Sequence, residues 1–151
     1  MSDSTYYTTK EYQKGAWLPF YLGGSVGIPV NYKTLDGNIF NSVSAGIYLG
    51  RVERSSLILE IGNYEKQLHF WTAGFSLAFF KKDRSIISPE IMGGLFGGAG
   101  GHQSGGLIYI AAVKYLYRVD DIFSVTATLK YSPVSLSKSR FIFFNLGIQL
   151  N

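Results

Sequence analysis

The alternation of apolar and polar residues between Leu107 and Tyr131 constrains the fold of this chain more than any other feature. In the first half of this stretch the odd positions are apolar or aromatic: Leu107, Tyr109, Ala111, Val113, Tyr115 and Tyr117. In the second half the odd positions Phe123, Val125, Ala127, Leu129 and Tyr131 share one face, whereas the even positions are Ser, Thr or Lys. A period of two residues is typical of half-buried β-strands. The short polar segment Arg118-Val119-Asp120-Asp121 between the two halves predicts a hairpin turn.

Aromatic residues mark both ends of the apolar face on each of these strands. Tyr109 and Tyr117 lie eight residues apart on the first strand, as do Phe123 and Tyr131 on the second. At ~3.3 Å per residue and a tilt of ~40°, eight residues rise about 20 Å, close to the height of the lipid-facing band of a membrane barrel. A third such pair lies earlier in the chain. We therefore predict a lipid-facing aromatic girdle made of Trp71, Phe79, Tyr109, Tyr117, Phe123 and Tyr131.

Length and composition fit a single all-β domain. With 151 residues, the chain is long enough for one complete eight-stranded barrel and too short for two ordinary domains. Its 11 Tyr, 11 Phe and 18 Gly favour strands and tight turns over helices. No stretch approaches 18 uninterrupted apolar residues, so the sequence predicts no membrane-spanning helix.

Six further segments show the same alternation, which gives eight predicted strands from about Trp17 to the end of the chain. The second, fourth and sixth connections are short and charged, and the first, fifth and seventh are longer. Short turns at one end and longer loops at the other are typical of a transmembrane barrel with both termini on the periplasmic side. We predict an eight-stranded antiparallel up-and-down transmembrane β-barrel over residues 16–151, preceded by a polar tail over residues 1–15.

Four charged residues fall on the inward face of the predicted strands: Glu60, Glu90, Lys114 and Lys130. Because a lone charge in a narrow lumen is costly, we expect these groups to pair. The simplest interpretation is a polar network that closes the lumen, since the interior of an eight-stranded barrel is normally filled by side chains. An ion path gated by these charges is the alternative.

Taken together, the eight segments and the alternating loop lengths resemble the small eight-stranded outer-membrane proteins of Gram-negative bacteria, the OmpA/OmpX-like class. The last strand adds Asn145-x-Gly147-x-x-Leu150, which looks like the C-terminal recognition signal of such proteins, although that signal ends on an aromatic residue and this chain ends at Asn151. The resemblance implies a location in the bacterial outer membrane. It also implies contact with the lipid bilayer and lipopolysaccharide, and a structural, adhesin-like or accessory-subunit role through external loops, with outer-membrane or extracellular proteins as further partners.

A second resemblance points to catalysis. His102-Gln103-Ser104 looks like the His-x-Ser pair of outer-membrane lipid A deacylases, in which His would activate Ser for acyl transfer. That family also places a carboxylate after the Ser, whereas the corresponding stretch near Leu116 has no acid; Glu65, on a neighbouring loop, is the substitute candidate. The pair lies among glycines, which favours a loop with a surface His. A lipid A-modifying acyl hydrolase using His102 and Ser104 is therefore an alternative to a non-enzymatic barrel.

Other classes of function receive less support. The formal charge is +4, but the basic residues are scattered instead of forming one stripe, so no nucleic-acid partner is expected. No His, Asp and Glu cluster has metal-ligand spacing, and the sequence predicts neither a metal nor another cofactor. A third hypothesis is a soluble, lipocalin-like ligand-binding barrel. It requires the apolar face of every strand to point inward.

Overall fold

The structure, a computed structural model, describes residues 20–30, 39–49, 55–64, 68–98, 105–132 and 141–150. These residues form β1 (Phe20–Pro29), β2 (Phe40–Tyr48), β3 (Ser55–Tyr64), β4 (Leu68–Leu77), β5 (Phe80–Lys82), β6 (Ser85–Gly98), β7 (Gly106–Arg118), β8 (Phe123–Ser132) and β9 (Phe141–Leu150). Strand β5 is only three residues long and extends the line of β4 along β6. The other eight strands form the wall of the barrel.

The eight long strands close into one antiparallel up-and-down barrel. Each pairs with its neighbour in the sequence, β4 pairs with β6, and β1 pairs with β9 to complete the ring. The links that follow β2, β5 and β7 lie at one end of the barrel, called here the turn end, and the links that follow β1, β3, β6 and β8 lie at the other, the loop end. The predicted fold class is confirmed. No helix in the described part of the chain is long and apolar enough to cross a membrane.

The predicted direction of the strand faces is also confirmed. On β8, Val125 is 41% exposed whereas Thr126 is 7% exposed. Tyr109 and Phe75 are likewise on the outer surface, and Ser76 is buried in the lumen. The soluble, lipocalin-like alternative required the reverse arrangement, and it is wrong because the most apolar face of each strand points away from the barrel axis.

A β-bulge separates β4 from β5. Ser76 pairs with Glu90 and Phe80 pairs with Ile87, so three residues on one side face two on the other. Pro89 is one of these two residues, and a proline without an N–H group is tolerated where a ladder hydrogen bond is already missing. The alternation of residue types alone does not predict this break.

Several predicted features lie outside the described residues. These are the N-terminal tail over residues 1–15, the start of the first strand at Trp17, the residues His102 and Ser104, and Glu65. Gly97 and Gly98 end β6, and Gly106 begins β7, so both strands extend into the glycine-rich stretch on either side of His102.

Candidate functional site

An ion pair crosses the lumen of the barrel. Lys130 Nζ donates a hydrogen bond to Glu60 Oε1. These residues lie on β8 and β3, which are four strands apart in the ring of eight and therefore on opposite walls. Both side chains are buried. The side chains consequently bridge the full width of the barrel.

A second ion pair links two neighbouring strands. Lys114 Nζ on β7 lies 2.6 Å from Glu90 Oε1 on β6. The same ammonium group is 5.2 Å from the ring centroid of Tyr21, within the range of a cation–π contact. The structure thus brings the four inward charges of the sequence together as two pairs, which is the geometry expected for ionised groups removed from water.

An aromatic cluster fills the lumen towards the loop end. The rings of Phe70 and Phe143 each lie with their centroids 4.9 Å from that of Phe40. Other buried apolar side chains complete this core: Ile58, Met92, Ile110 and Ala112. Lys130 Nζ lies 5.2 Å from the centroid of Phe40, so the cluster and the ion pair across the lumen are in contact. Sequence reasoning missed the cluster, although period-two counting would have placed Phe40, Phe70 and Phe143 on the inward face.

Neutral polar groups occupy the remaining lumen. Asn145 Nδ2 donates to Ser25 Oγ at 3.2 Å, and Ser25 Oγ is 2.8 Å from Ser42 Oγ. Nearer the turn end, Gln149 Nε2 donates to the Tyr48 hydroxyl at 3.1 Å. Such bonds across strands satisfy buried polar groups that would otherwise lose their water.

One small cavity lies at the turn end of the lumen. It is lined by Tyr21, Tyr48, Ser76, Lys114 and Gln149, among others. The space that the centres of water molecules can occupy is about 30 Å³, which suits about two waters and no organic ligand. Ile86 and Leu116 also line it, whereas Ile110 and Met92 belong to the aromatic cluster. The inward apolar residues of β6 and β7 are thus divided between this cavity and the aromatic cluster.

The outer surface of the eight long strands carries no formally charged side chain at any outward position that the structure describes. Four of the predicted girdle residues are exposed there: Trp71, Phe79, Tyr109 and Tyr117. Phe123 and Tyr131 are half-buried on the same face. Trp71, Tyr109 and Tyr131 lie towards the loop end, and Phe79, Tyr117 and Phe123 towards the turn end. Phe79 follows the end of β4 at the bulge and is 84% exposed.

Two neighbouring links are tied together at the turn end. Arg84 Nη1 donates to the carbonyl oxygen of Val119 at 3.2 Å, and the Arg118 N–H donates to the carbonyl oxygen of Arg84 at 2.8 Å. Within the second link, Asp120 Oδ1 accepts hydrogen bonds from the backbone N–H groups of Ile122 and Phe123. These two bonds favour the carboxylate and lower the pKa of Asp120 below its ordinary value of 3.8.

Among the described residues, no group of three or more His, Cys, Asp or Glu side chains could hold a metal ion. His102 and Ser104 lie outside the described ranges.

Comparison with known proteins finds likeness in structure alone. No protein-family model matches the sequence, and no curated protein matches it. Neisserial surface protein A is 13% identical, with a TM-score of 0.68 over 87% of this chain and 96% of its own. The N-terminal β-barrel domain of Pseudomonas aeruginosa OprF is 13% identical, with a TM-score of 0.55 over 88% of this chain and 97% of its own. Ail, the attachment invasion locus protein of Yersinia pestis, is 10% identical, with a TM-score of 0.52 over 87% and 93%.

These likenesses establish the fold. The chain has the architecture of small eight-stranded outer-membrane barrels. Because sequence identity is so low, the activities of these proteins do not transfer with the fold, which hosts many functions.

Proposed function

We propose that this chain is an integral outer-membrane β-barrel with a closed lumen, acting as a structural, adhesin-like or accessory-subunit protein through its external loops. The observation that carries the proposal is the outer surface of the eight long strands, which is predominantly apolar and carries no formal charge at the described outward positions. Monomeric soluble proteins rarely expose apolar patches larger than a few hundred Å². A closed barrel with such a surface is suited to lipid, since its strands pair all round the ring and leave no open sheet edge.

The packing of side chains in the lumen supports a function that does not involve transport. The ion pair between Lys130 and Glu60 crosses the full width of the barrel, and the cluster around Phe40 lies directly beside it. A path for ions would have to break a buried ion pair and displace packed aromatic rings. The role of closing the lumen is therefore shared between charged and aromatic side chains, with Glu90 and Lys114 as a second barrier.

The external contact role is supported by analogy and by elimination. Ail is named for attachment and invasion, and one of its structures holds the heparin analogue sucrose octasulfate. The cavity at the turn end is too small for an organic ligand, which favours the loop end as the place for recognition. The alternative of a lipid A-modifying acyl hydrolase depends wholly on His102 and Ser104, and no observation on the described residues favours it.

The membrane location and the closed lumen are tested together. The chain is exported in a Gram-negative host, membranes are fractionated, and the purified protein is reconstituted into planar bilayers. We expect the protein in the outer-membrane fraction, its aggregation when detergent is withdrawn, and no steady conductance above that of the bare bilayer. Recovery as a dispersed protein without detergent would contradict the membrane location, whereas a stable ohmic current would contradict the closed lumen.

The adhesin-like role needs its own experiment. Residues 133–140, between β8 and β9 at the loop end, are replaced by a Gly/Ser segment of equal length, and bacterial binding to immobilised heparin and matrix proteins is measured. We expect the parent protein to promote binding and the replacement to abolish it while the barrel still folds. Equal binding by cells with and without the parent protein would reject the adhesin-like role and leave the structural role.

A further inference from the structure

A short row of polar side chains interrupts the apolar outer surface at the loop end of three adjacent strands. Asn41 on β2 is paired in register with Asn63 on β3, which is paired with His69 on β4. All three side chains are exposed. At the loop ends of the other long strands, the outward residues with side chains larger than glycine are aliphatic or Tyr: Ile28, Leu95, Leu107, Tyr131 and Ile142. We call Asn41, Asn63 and His69 the polar row.

The polar row marks the loop-end limit of the apolar band in this sector of the barrel. Ile61, Trp71, Leu95 and Leu107 are paired in register and form one apolar level on β3, β4, β6 and β7. The next outward level towards the loop end carries Asn63 and His69, with Gly97 opposite His69 on β6. Because the apolar band of a membrane barrel follows the hydrocarbon of the bilayer, the polar row lies where lipid headgroups begin.

The chemistry of the polar row indicates what kind of headgroup it suits. His69 Nδ1–H donates to Asn63 Oδ1, which leaves the second ring nitrogen and the Asn63 amide N–H groups for a ligand. Asn41 adds a further amide beside them. The two Asn side chains are uncharged donors and acceptors, whereas recognition of a bare phosphate typically relies on Arg or Lys. The polar row is therefore suited to hydroxyl and amide groups.

An exposed indole ring completes the surface. Trp71 lies two residues after His69 on the same outward face of β4. It is paired in register with Ile61 on β3, directly below Asn63 on that strand. A flat apolar ring with polar groups at one end suits a surface that is apolar below and wet above, as at a membrane boundary.

We infer that the polar row, together with Trp71, binds the sugar headgroup of a glycolipid in the outer leaflet of the membrane. This inference rests on the proposed membrane location, because only there does a glycolipid headgroup lie beside the loop end of β2, β3 and β4. The ligand is recognised by its hydroxyl and amide groups. Its phosphate groups, where it has them, are not the main determinant.

The test uses the full chain reconstituted in phosphatidylcholine nanodiscs that contain one added lipid at a time. The added lipids are a lipid A-type glycolipid, its dephosphorylated form, and phosphatidylglycerol, an anionic lipid without sugar. Binding is measured by native mass spectrometry as the ratio of lipid retained to lipid supplied. We expect both glycolipids to be retained at least tenfold more than phosphatidylglycerol.

A triple variant, Asn41→Val, Asn63→Val and His69→Leu, replaces the polar row by residues of the kind found elsewhere on this surface. We expect it to fold and to lose at least tenfold in glycolipid retention. The control variant Tyr131→Leu, on β8 across the barrel, should retain the glycolipids as the parent does. If the triple variant does not fold, Trp71→Leu is the second variant, with the same expected loss.

Three outcomes overturn the inference. Equal retention of phosphatidylglycerol, retention of the phosphorylated glycolipid alone, or unchanged retention by the folded triple variant would each reject sugar recognition by the polar row while leaving the barrel in the membrane. Failure of the parent protein to insert into a bilayer would reject the proposed location itself, and the polar row with it.

Discussion

Lys130 and Glu60 form an ion pair between strands on opposite walls of the barrel, in contact with the ring of Phe40. Closure of the sheet creates this relationship, since the two residues are 70 positions apart in the sequence. Side chains this long are needed to reach across an eight-stranded lumen, and each charge is buried. The pair therefore joins opposite walls of the barrel, whereas a contact between neighbouring strands joins residues on the same side.

Removing one partner of this pair should destabilise the barrel strongly. Glu60→Gln leaves the Lys130 ammonium group buried without a counter-charge, which typically costs about 3 to 5 kcal/mol. The free energy of unfolding is measured by urea titration in lipid vesicles. The double variant Glu60→Leu with Lys130→Met removes both charges and should recover much of the loss. If the loss in the double variant equals the sum of the losses in Glu60→Leu and Lys130→Met measured singly, the charges are not coupled.

Two glycines on β6 should respond differently to substitution by alanine. A Cβ atom at Gly94 would lie 1.8 Å from the carbonyl oxygen of Trp71 on the neighbouring strand, whereas a Cβ at Gly97 would have no atom within 4 Å. Gly94→Ala must therefore shift backbone and should cost about 1 to 3 kcal/mol of unfolding free energy or more. Gly97→Ala is the matched control and should be nearly neutral. Equal effects of the two substitutions would show that β4 and β6 do not approach as described.

The hairpin between β5 and β6 depends on a left-handed residue. Asp83 has a φ of 52°, a conformation that Gly, Asn and Asp adopt more readily than other residues. Asp83→Val should therefore lower the free energy of unfolding by about 1 to 2 kcal/mol, whereas Asp83→Gly should leave it unchanged or raise it slightly. The comparison is made by urea unfolding of both variants. A Val variant as stable as the Gly variant would contradict the assigned backbone conformation.

The link between β7 and β8 should loosen in acid. The backbone N–H groups of Ile122 and Phe123 lower the pKa of the Asp120 carboxyl, so its stabilising contribution is complete above about pH 3.8 and is lost as the pH falls through the lower folded-state pKa. Amide hydrogen exchange at Ile122 and Phe123 should therefore lose protection below that pH. Asp120→Asn should remove this pH dependence, and Asp121→Asn should preserve it. An unchanged acid response in the Asp120 variant would assign the effect to another group.

Much of the fold follows from the alternation of residue types. The period of two assigns each residue of β7 and β8 to one face, and lipid outside and a narrow lumen inside decide which face points where. The same reasoning places Glu60, Glu90, Lys114 and Lys130 inside. These inferences need only local sequence and the width of the barrel.

The partners inside the lumen could not be predicted in the same way. The register of eight strands around the ring decides that Lys130 reaches Glu60 and that Lys114 reaches Glu90. Phe40, Phe70 and Phe143 come from three different strands, so no segment of the sequence carries a signal for their cluster. The bulge after Leu77 could not be predicted for a different reason. A bulge depends on the residues of both paired strands, and Pro89 on the opposite strand is the one sequence feature that indicates it.

Spin labels on single cysteines test the direction of the strand faces most directly. The chain has no native cysteine, so Val125→Cys and Thr126→Cys each give one labelled site on neighbouring positions of β8. In lipid bilayers we predict that the label at position 125 collides readily with oxygen and is shielded from an aqueous nickel chelate, as expected for a side chain in hydrocarbon. The label at position 126 should be poorly accessible to both reagents. Ready access of the nickel chelate to position 125, with oxygen-dominated collisions at position 126, would contradict the account.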